Sequence, residues 1–263
     1  MNKLINDTGS LSNHARAGKA IFLLLLFSAM IFNSCKKDHF FDFLKSTGKI
    51  VTIERNVIDD FAEIRLESNI NLVLTQGPFY KITMEGGENL LPGIDTEIKD
   101  SLLTFRNNNK VNWVRSYDKK ITAYVTAPHF LKISYEGTGD ISNNDTLRED
   151  SLFDTAFGGS GYINLCIKTR LSHLSINAGS ADMNISGISD NNFIYAGNYG
   201  PFHCLDLVTQ NTFMNNKGTN DCYIHVKQRL EYEINSLGNI YYKGKPPIIT
   251  GTNKGQGKLI ALE

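Results

Sequence analysis

The chain has 263 residues, with 27 Lys+Arg balanced by 27 Asp+Glu and 41% hydrophobic residues. A formal net charge of zero leaves no electrostatic footprint for a polyanion, which excludes a basic-groove nucleic-acid binder. The steady recurrence of Ile, Leu, Val, Phe and Tyr beyond residue 50 excludes a disordered chain, and the length suits one or two globular domains.

Residues 1–19 are polar and carry Lys3, Arg16 and Lys19, and residues 20–32 (AIFLLLLFSAMIF) form an unbroken apolar run. As a helix that run spans roughly 20 Å, too short for a hydrocarbon core of about 30 Å. A positive start followed by a short apolar stretch and small residues is the order of a secretory signal. Phe32, Asn33, Ser34 and Cys35 resemble a bacterial lipobox. The expectation is a signal peptide over 1–34, a lipid on Cys35, and a tether over 35–49 that makes the membrane a partner through the anchor. Lys36 follows the cysteine in place of an inner-membrane retention Asp, which favours the outer membrane. The alternative is a plain signal peptide with an incidental Cys.

Over 50–130 the pattern predicts irregular strands. Phe61, Ile64, Leu66 and then Ile70, Leu72, Leu74 alternate with polar residues up to the turn signal Gln76, Gly77, Pro78. Tyr80, Ile82 and Met84 repeat the period, Leu103 and Phe105 give a shorter piece, and Ile121, Ala123 and Val125 another before Pro128. Residues 88–94 allow one helical turn at most.

Over 131–260 a repeat appears. Turn-like segments recur around Gly137, Gly159, Gly179, Gly197, Gly218 and Gly238, giving steps of 22, 20, 18, 21 and 20 residues by subtraction. A unit of about 20 residues is too short to bury its own apolar face, so neighbours must stack. Turn residues followed by alternating apolar ones, such as Ile163, Leu165 and Ile167, make that stack an all-β solenoid with coils of about 20 residues laid at the strand spacing of ~4.8 Å. A β-sandwich with evenly spaced turns is the alternative.

The ordered series of short motifs also resembles a known family. Residues 57–61, 69–77, 88–91 and 102–105, with Pro128, Leu131 and the Gly137, Thr138, Gly139 stretch, are similar to the head GIN domain of putative auto-transporter adhesins. The resemblance covers about residues 50–260. It implies a right-handed β-helix-like fold in an envelope protein of Bacteroidetes-type bacteria, and it brings no catalytic residues with it.

Chemistry-bearing residues are scattered. Cys166 and Cys204 share a coil offset but lie two coils apart, about 9.6 Å, beyond the roughly 7 Å a disulfide allows; free thiols are expected for them and for Cys222. His129, His173, His203 and His225 show no zinc spacing, although His203, Cys204, Cys222 and His225 could meet across coils. There is no nucleophile elbow, and the Gly-rich stretch 251–258 reads as a final turn. Asp140 and Asp182, two coils apart with Tyr162 between them, could bind a cation or act on a polysaccharide, though one carboxylate per coil suits a solvated turn. No metal or cofactor is expected. The polar segment 106–120 holds the only Trp of the chain, and Arg106, Trp113, Arg115 and Tyr117 are the candidate ligand-binding residues, since aromatic and Arg side chains anchor recognition surfaces; Trp113 could instead cap an open solenoid edge. The reading is a non-enzymatic, lipid-anchored envelope protein that binds or scaffolds a glycan or surface protein. A carbohydrate-active β-helix enzyme is the alternative, and a homodimer through exposed strand edges is a further open outcome.

Overall fold

The computed structural model describes residues 47–109 and 120–263. The expected lipidation site Cys35 and the candidates Trp113, Arg115 and Tyr117 lie outside those residues.

Alternation of apolar and polar residues is translated directly into strands with one buried row. In β2 (Glu63–Ser68) Ile64 and Leu66 are buried, and in β3 (Ile70–Gln76) Ile70, Leu72 and Leu74 are buried. Ser68 turns the corner between them with a φ of 70°. The two strands are the two walls of one coil.

The same plan, drawn out, gives β10 (Leu147–Phe157), β11 (Tyr162–Ala178), β12 (Asp182–Ala196), β13 (Phe202–Asn216) and β14 (Cys222–Ile234). Each long strand bends once. In β11 the buried row runs through Ile163, Leu165 and Ile167, then changes phase at the corner and continues through Ser172, Leu174 and Ile176. That change of phase keeps both walls facing the same interior. Neighbouring coils pair in parallel, with Leu147, Ile167, Gly187 and Leu207 opposite one another at intervals of 20. The last coils tighten: Val208 faces His225 and Cys222 faces Ile240. β15 (Ile240–Lys243), β16 (Ile248–Asn253) and β17 (Leu259–Ala261) complete the stack. The molecule is an all-β solenoid with a spacing of about 20 residues, as the repeat predicts.

Like positions pile into columns. On the first wall the buried column is Ala123, Leu72, Ile141, Ile163, Met183, Phe202, Cys222 and Ile240. Each large apolar member contributes about 1.5–3 kcal/mol by leaving water. The glycine markers stack as well: Ser160 N donates to Gly137 O at 3.1 Å, Ser180 N to Gly159 O at 2.9 Å, and Gly238 N to Gly218 O at 3.2 Å. Glycine is required where coils nearly touch. A Cβ on Gly139 would lie 1.9 Å from the Ile70 carbonyl oxygen, and one on Gly159 would lie 1.9 Å from the Tyr135 ring.

The expectation of irregular strands over 50–130 is refined by the pairing. β6 (Leu102–Asn107) and β7 (Ile121–Ala127) form a further coil. β8 (Lys132–Gly137) and β9 (Ile141–Asn143) form another. β2 pairs in parallel with both β6 and β8, and β3 with both β7 and β9. The first coil in the chain therefore lies between two later ones. Beyond β6 and β7 the parallel order stops: β5 (Ile94–Lys99) pairs antiparallel with β6, β4 (Lys81–Gly87) with β7, and β1 (Ile50–Arg55) with β4. The turn allowed at residues 88–94 is a short 3-10 helix at Leu91–Gly93.

The corners are polar inside. Thr169 Oγ1 donates to Ser189 Oγ at 3.0 Å, Ser172 Oγ bonds Ser189 Oγ and Asn192 Oδ1, and Thr209 and Thr212 share a 2.7 Å hydrogen bond. A buried hydroxyl or amide with its partner in place costs little; the Thr169, Ser172, Ser189 and Asn192 bonds join adjacent coils, and the Thr209–Thr212 bond closes a corner within one coil. Inward Asn216 is satisfied in the same way, donating to Gly238 O and accepting from Gly218 N.

Candidate binding face

Of the candidate ligand residues, Arg106 alone is described. It sits on β6, where Nε and Nη2 grip Glu67 of β2 at 2.7 and 3.1 Å. The Arg106 guanidinium holds the Glu67 carboxyl below its usual range, chiefly through that hydrogen bond.

The histidine and cysteine constellation does not assemble. His203 faces outward and stacks on Tyr223, His225 Nδ1 meets Leu205 O at 3.1 Å, and Cys204 and Cys222 point into the core. Burial pushes the Cys204 thiol up to about 12 and raises Cys222 as well. All three described cysteines are free thiols. The shared offset of Cys166 and Cys204 fails by one residue, because Cys166 faces Ser186 while Cys204 falls beside Ile185, on the buried row. The cause is the tightening of the later coils. Among the described residues no group of three His, Cys, Asp or Glu side chains could hold a metal ion.

The carboxylates are accounted for individually. Asp140 does lie one coil from Tyr162, whose N–H it accepts at 3.2 Å, and Tyr162 faces Asp182. Asp150 and Arg170 sit on successive coils in a bidentate ion pair at 2.8 and 2.9 Å, with Asp190 beyond. These charges are engaged with one another on an exposed corner. Asp154 is different. It sits fully buried in the second-wall column between Ile133 and Leu174, and among the described residues neither oxygen has a hydrogen-bond partner. Burial lifts its carboxyl to about 7, but solvent does not reach it.

The outer surface of the second wall carries a feature the sequence reading missed. Phe153, His173, Phe193 and Phe213 face one another on four successive coils. Phe153 is 40% exposed and Phe193 45%, a large apolar share for a solvent-facing sheet position. Phe153 meets His173 edge-on, with ring centroids 5.7 Å apart and planes at 89°, and Phe193 meets Phe213 at 6.1 Å and 44°. Partial burial holds the His173 imidazole below its ordinary value. The parallel column beside them is Thr155, Ser175, Tyr195 and Asn215. Rings and hydroxyl or amide groups together line an open cavity of about 390 Å³; at its edge Lys217 Nζ lies 5.6 Å from the centre of the Tyr195 ring, and Glu233 accepts from Asn215 Nδ2 at 2.8 Å. The signal was available: the four aromatic positions are 20 apart in the sequence.

The first wall has a contrasting aromatic column. His203, Tyr223 and Tyr241 stack nearly flat, with centroids 5.6 and 4.9 Å apart and planes at 14° and 11°. There the ring faces cover one another, whereas on the second wall the tilted rings leave theirs open.

The family model described as putative auto-transporter adhesin, head GIN domain, matches residues 60–246. Among solved structures, a putative adhesin from Bacteroides fragilis is 21% identical with a TM-score of 0.74, over 81% of this chain and 97% of that one. A putative adhesin from Parabacteroides merdae is 21% identical with a TM-score of 0.63, over 83% and 98%. A protein from Parabacteroides distasonis described as a putative lipid binding protein is 18% identical with a TM-score of 0.63, over 83% and 98%. At these identities the likeness establishes the fold. No curated protein matches the chain.

Proposed function

The chain belongs to the head GIN domain family of putative auto-transporter adhesins, and from that premise we propose that it is a non-enzymatic cell-envelope protein whose solenoid serves as an adhesin-like binding surface. In this reading Cys35 carries the lipid anchor at the outer membrane, residues 36–49 are the tether, and the solenoid is a rigid post. The observation that carries the reading is the outer aromatic column Phe153, His173, Phe193 and Phe213, with the open cavity beside it. Exposed rings arranged on a rigid sheet are typical of recognition surfaces. A polysaccharide-cleaving enzyme would need a free, accessible acid or base beside such a surface; Asp154 lies inside the wall, Asp150 is paired with Arg170, and Glu233, at the cavity's edge, is engaged by the Asn215 amide.

The test is a whole-cell adhesion assay on immobilised glycans and surface proteins, comparing the full chain with Phe193→Ala and with Cys35→Ala. The reading expects adhesion that Phe193→Ala reduces, and release of the protein from the membrane fraction in Cys35→Ala. Adhesion that is absent, or indifferent to Phe193, would overturn it.

A further inference from the structure

We propose that the opening between His173 and Phe193 is a binding site for an uncharged oligosaccharide lying along the solenoid axis. This rests on the reading of the second wall as the recognition face and names the ligand class for it.

Three observations converge. The first is ring geometry. His173 and Phe193 are partners in register, yet among the described residues no ring contact joins them: His173 turns to Phe153 and Phe193 to Phe213. The two pairs part, and the cavity opens there with ring faces left for a ligand. A pyranose offers such rings its apolar C–H face, which complements the negative face of the π system.

The second is hydrogen-bonding capacity. Ser175 donates its hydroxyl proton to Thr155 Oγ1 at 3.0 Å, which leaves its oxygen free to accept. Asn177 is exposed at the rim, and neither its amide nor the Tyr195 hydroxyl makes a hydrogen bond within the described residues. Unspent donors and acceptors beside apolar faces are what a sugar ring, polar at its edge and apolar on its face, requires.

The third is charge. Among the described residues no ionised side chain lines the opening between the rings, burial disfavours the charged form of the His173 imidazole, and the two charges at the edge, Lys217 over Tyr195 and Glu233 on Asn215, are opposite in sign. An anionic polysaccharide would give up hydration here with no net counter-charge in return, since Glu233 offsets Lys217 at the edge. An acyl chain is also a poor fit, since the site is open to water and sets hydroxyl and amide groups among its rings. Coils repeat at ~4.8 Å, close to the advance of one residue in an extended β-linked hexopyranose chain, so successive sugars meet successive coils.

The experiment is calorimetric titration of the full chain with di- to hexasaccharide series of neutral glucans, mannans and xylans, and with oligogalacturonate as the charged probe, repeated on Phe193→Ala and Phe213→Ala. Both positions lie on the outer surface, and circular dichroism verifies that the variants are folded. The expected result is binding of at least one neutral series, tighter with each added sugar up to about four units, weakened about tenfold or more by either substitution. The inference is overturned if no neutral series binds, if oligogalacturonate binds more tightly, or if binding ignores both substitutions. Whole-cell adhesion that needs Phe193 while every saccharide fails would sink the sugar assignment and leave the adhesive reading standing.

Discussion

The coils from Leu147 onward and the segment from Ile50 to Asn143 solve the same problem differently. In the later coils each strand pairs with the one a single turn behind it, so like residues recur every 17 to 21 positions and one wall can carry Phe153, His173, Phe193 and Phe213 in line. In the earlier segment β2 and β3 are enclosed by β6 and β7 on one side and β8 and β9 on the other, and β1, β4 and β5 close that end antiparallel. Sequential winding makes a periodic outer surface. The non-sequential end supplies a finished edge, which a parallel stack alone cannot.

The junction of the two regions is where the comparison is most easily broken. Gly139→Val places a side chain against the Ile70 backbone, where no flexible group can yield. It should cost about 4 kcal/mol or more, or abolish folding, as read from urea denaturation. A Gly139→Val protein of native stability would mean that the β3 and β9 coils are not in contact.

Asp154 is the next largest effect and separates the regions by pH. The unfolded carboxyl releases its proton near 3.8, while the buried one holds it to about 7. The folded state therefore binds the extra proton between those values. Its contribution to stability is complete below about 3.8, falls as pH rises to about 7 and is flat beyond, a span of about 4 kcal/mol. Asp154→Val, matching its Ile133 and Leu174 neighbours, should remove this component and stabilise the protein at pH 8. The measurement is the difference between the two stability profiles from pH 4 to 8; parallel profiles would contradict the burial.

Tyr135 ties the regions together more gently. Its hydroxyl donates to Gly139 O and accepts from Gly161 N, both at 2.8 Å. Tyr135→Phe leaves two buried backbone groups unpaired and should cost about 2 kcal/mol in the same denaturation experiment. Among the thiols of the later coils, Cys166 is half-buried while Cys204 and Cys222 are buried, so native-state alkylation followed by peptide mapping should modify Cys166 well before the other two. The smallest effect belongs to the exposed pair on the earlier coils. Glu67→Gln should leave the melting temperature almost unchanged, with any residue of the effect disappearing in high salt.

Where the chain winds in order, the sequence was readable, because a period survives when each unit meets its immediate predecessor. Gly137, Gly159 and Gly179 mark one corner in both the sequence and the fold. The order of β6, β2 and β8 left no such trace, since pairing across some 40 residues in one direction and 70 in the other imposes no fixed interval. Local alternation in β2 and β3 was visible while their partners were not. Asp154 was hidden among ordinary alternating acids of β10, where only the three-dimensional column shows that it points inward. The aromatic wall was legible at a 20-residue interval, but the glycine markers drew attention to the corners instead.

The enclosed position of β2 and β3 also governs the order of assembly. A chain emerging from its N-terminus holds this coil bare on one side until β7 ends at Ala127 and on the other until β9 ends at Asn143, so the costly loop closures are concentrated in the first part of the molecule. Once that segment has gathered, each later coil docks on a finished template with its partner only about 20 residues behind. Folding then advances like a zipper with a slow first tooth, and a partly delivered chain has no cheap structure in which to rest.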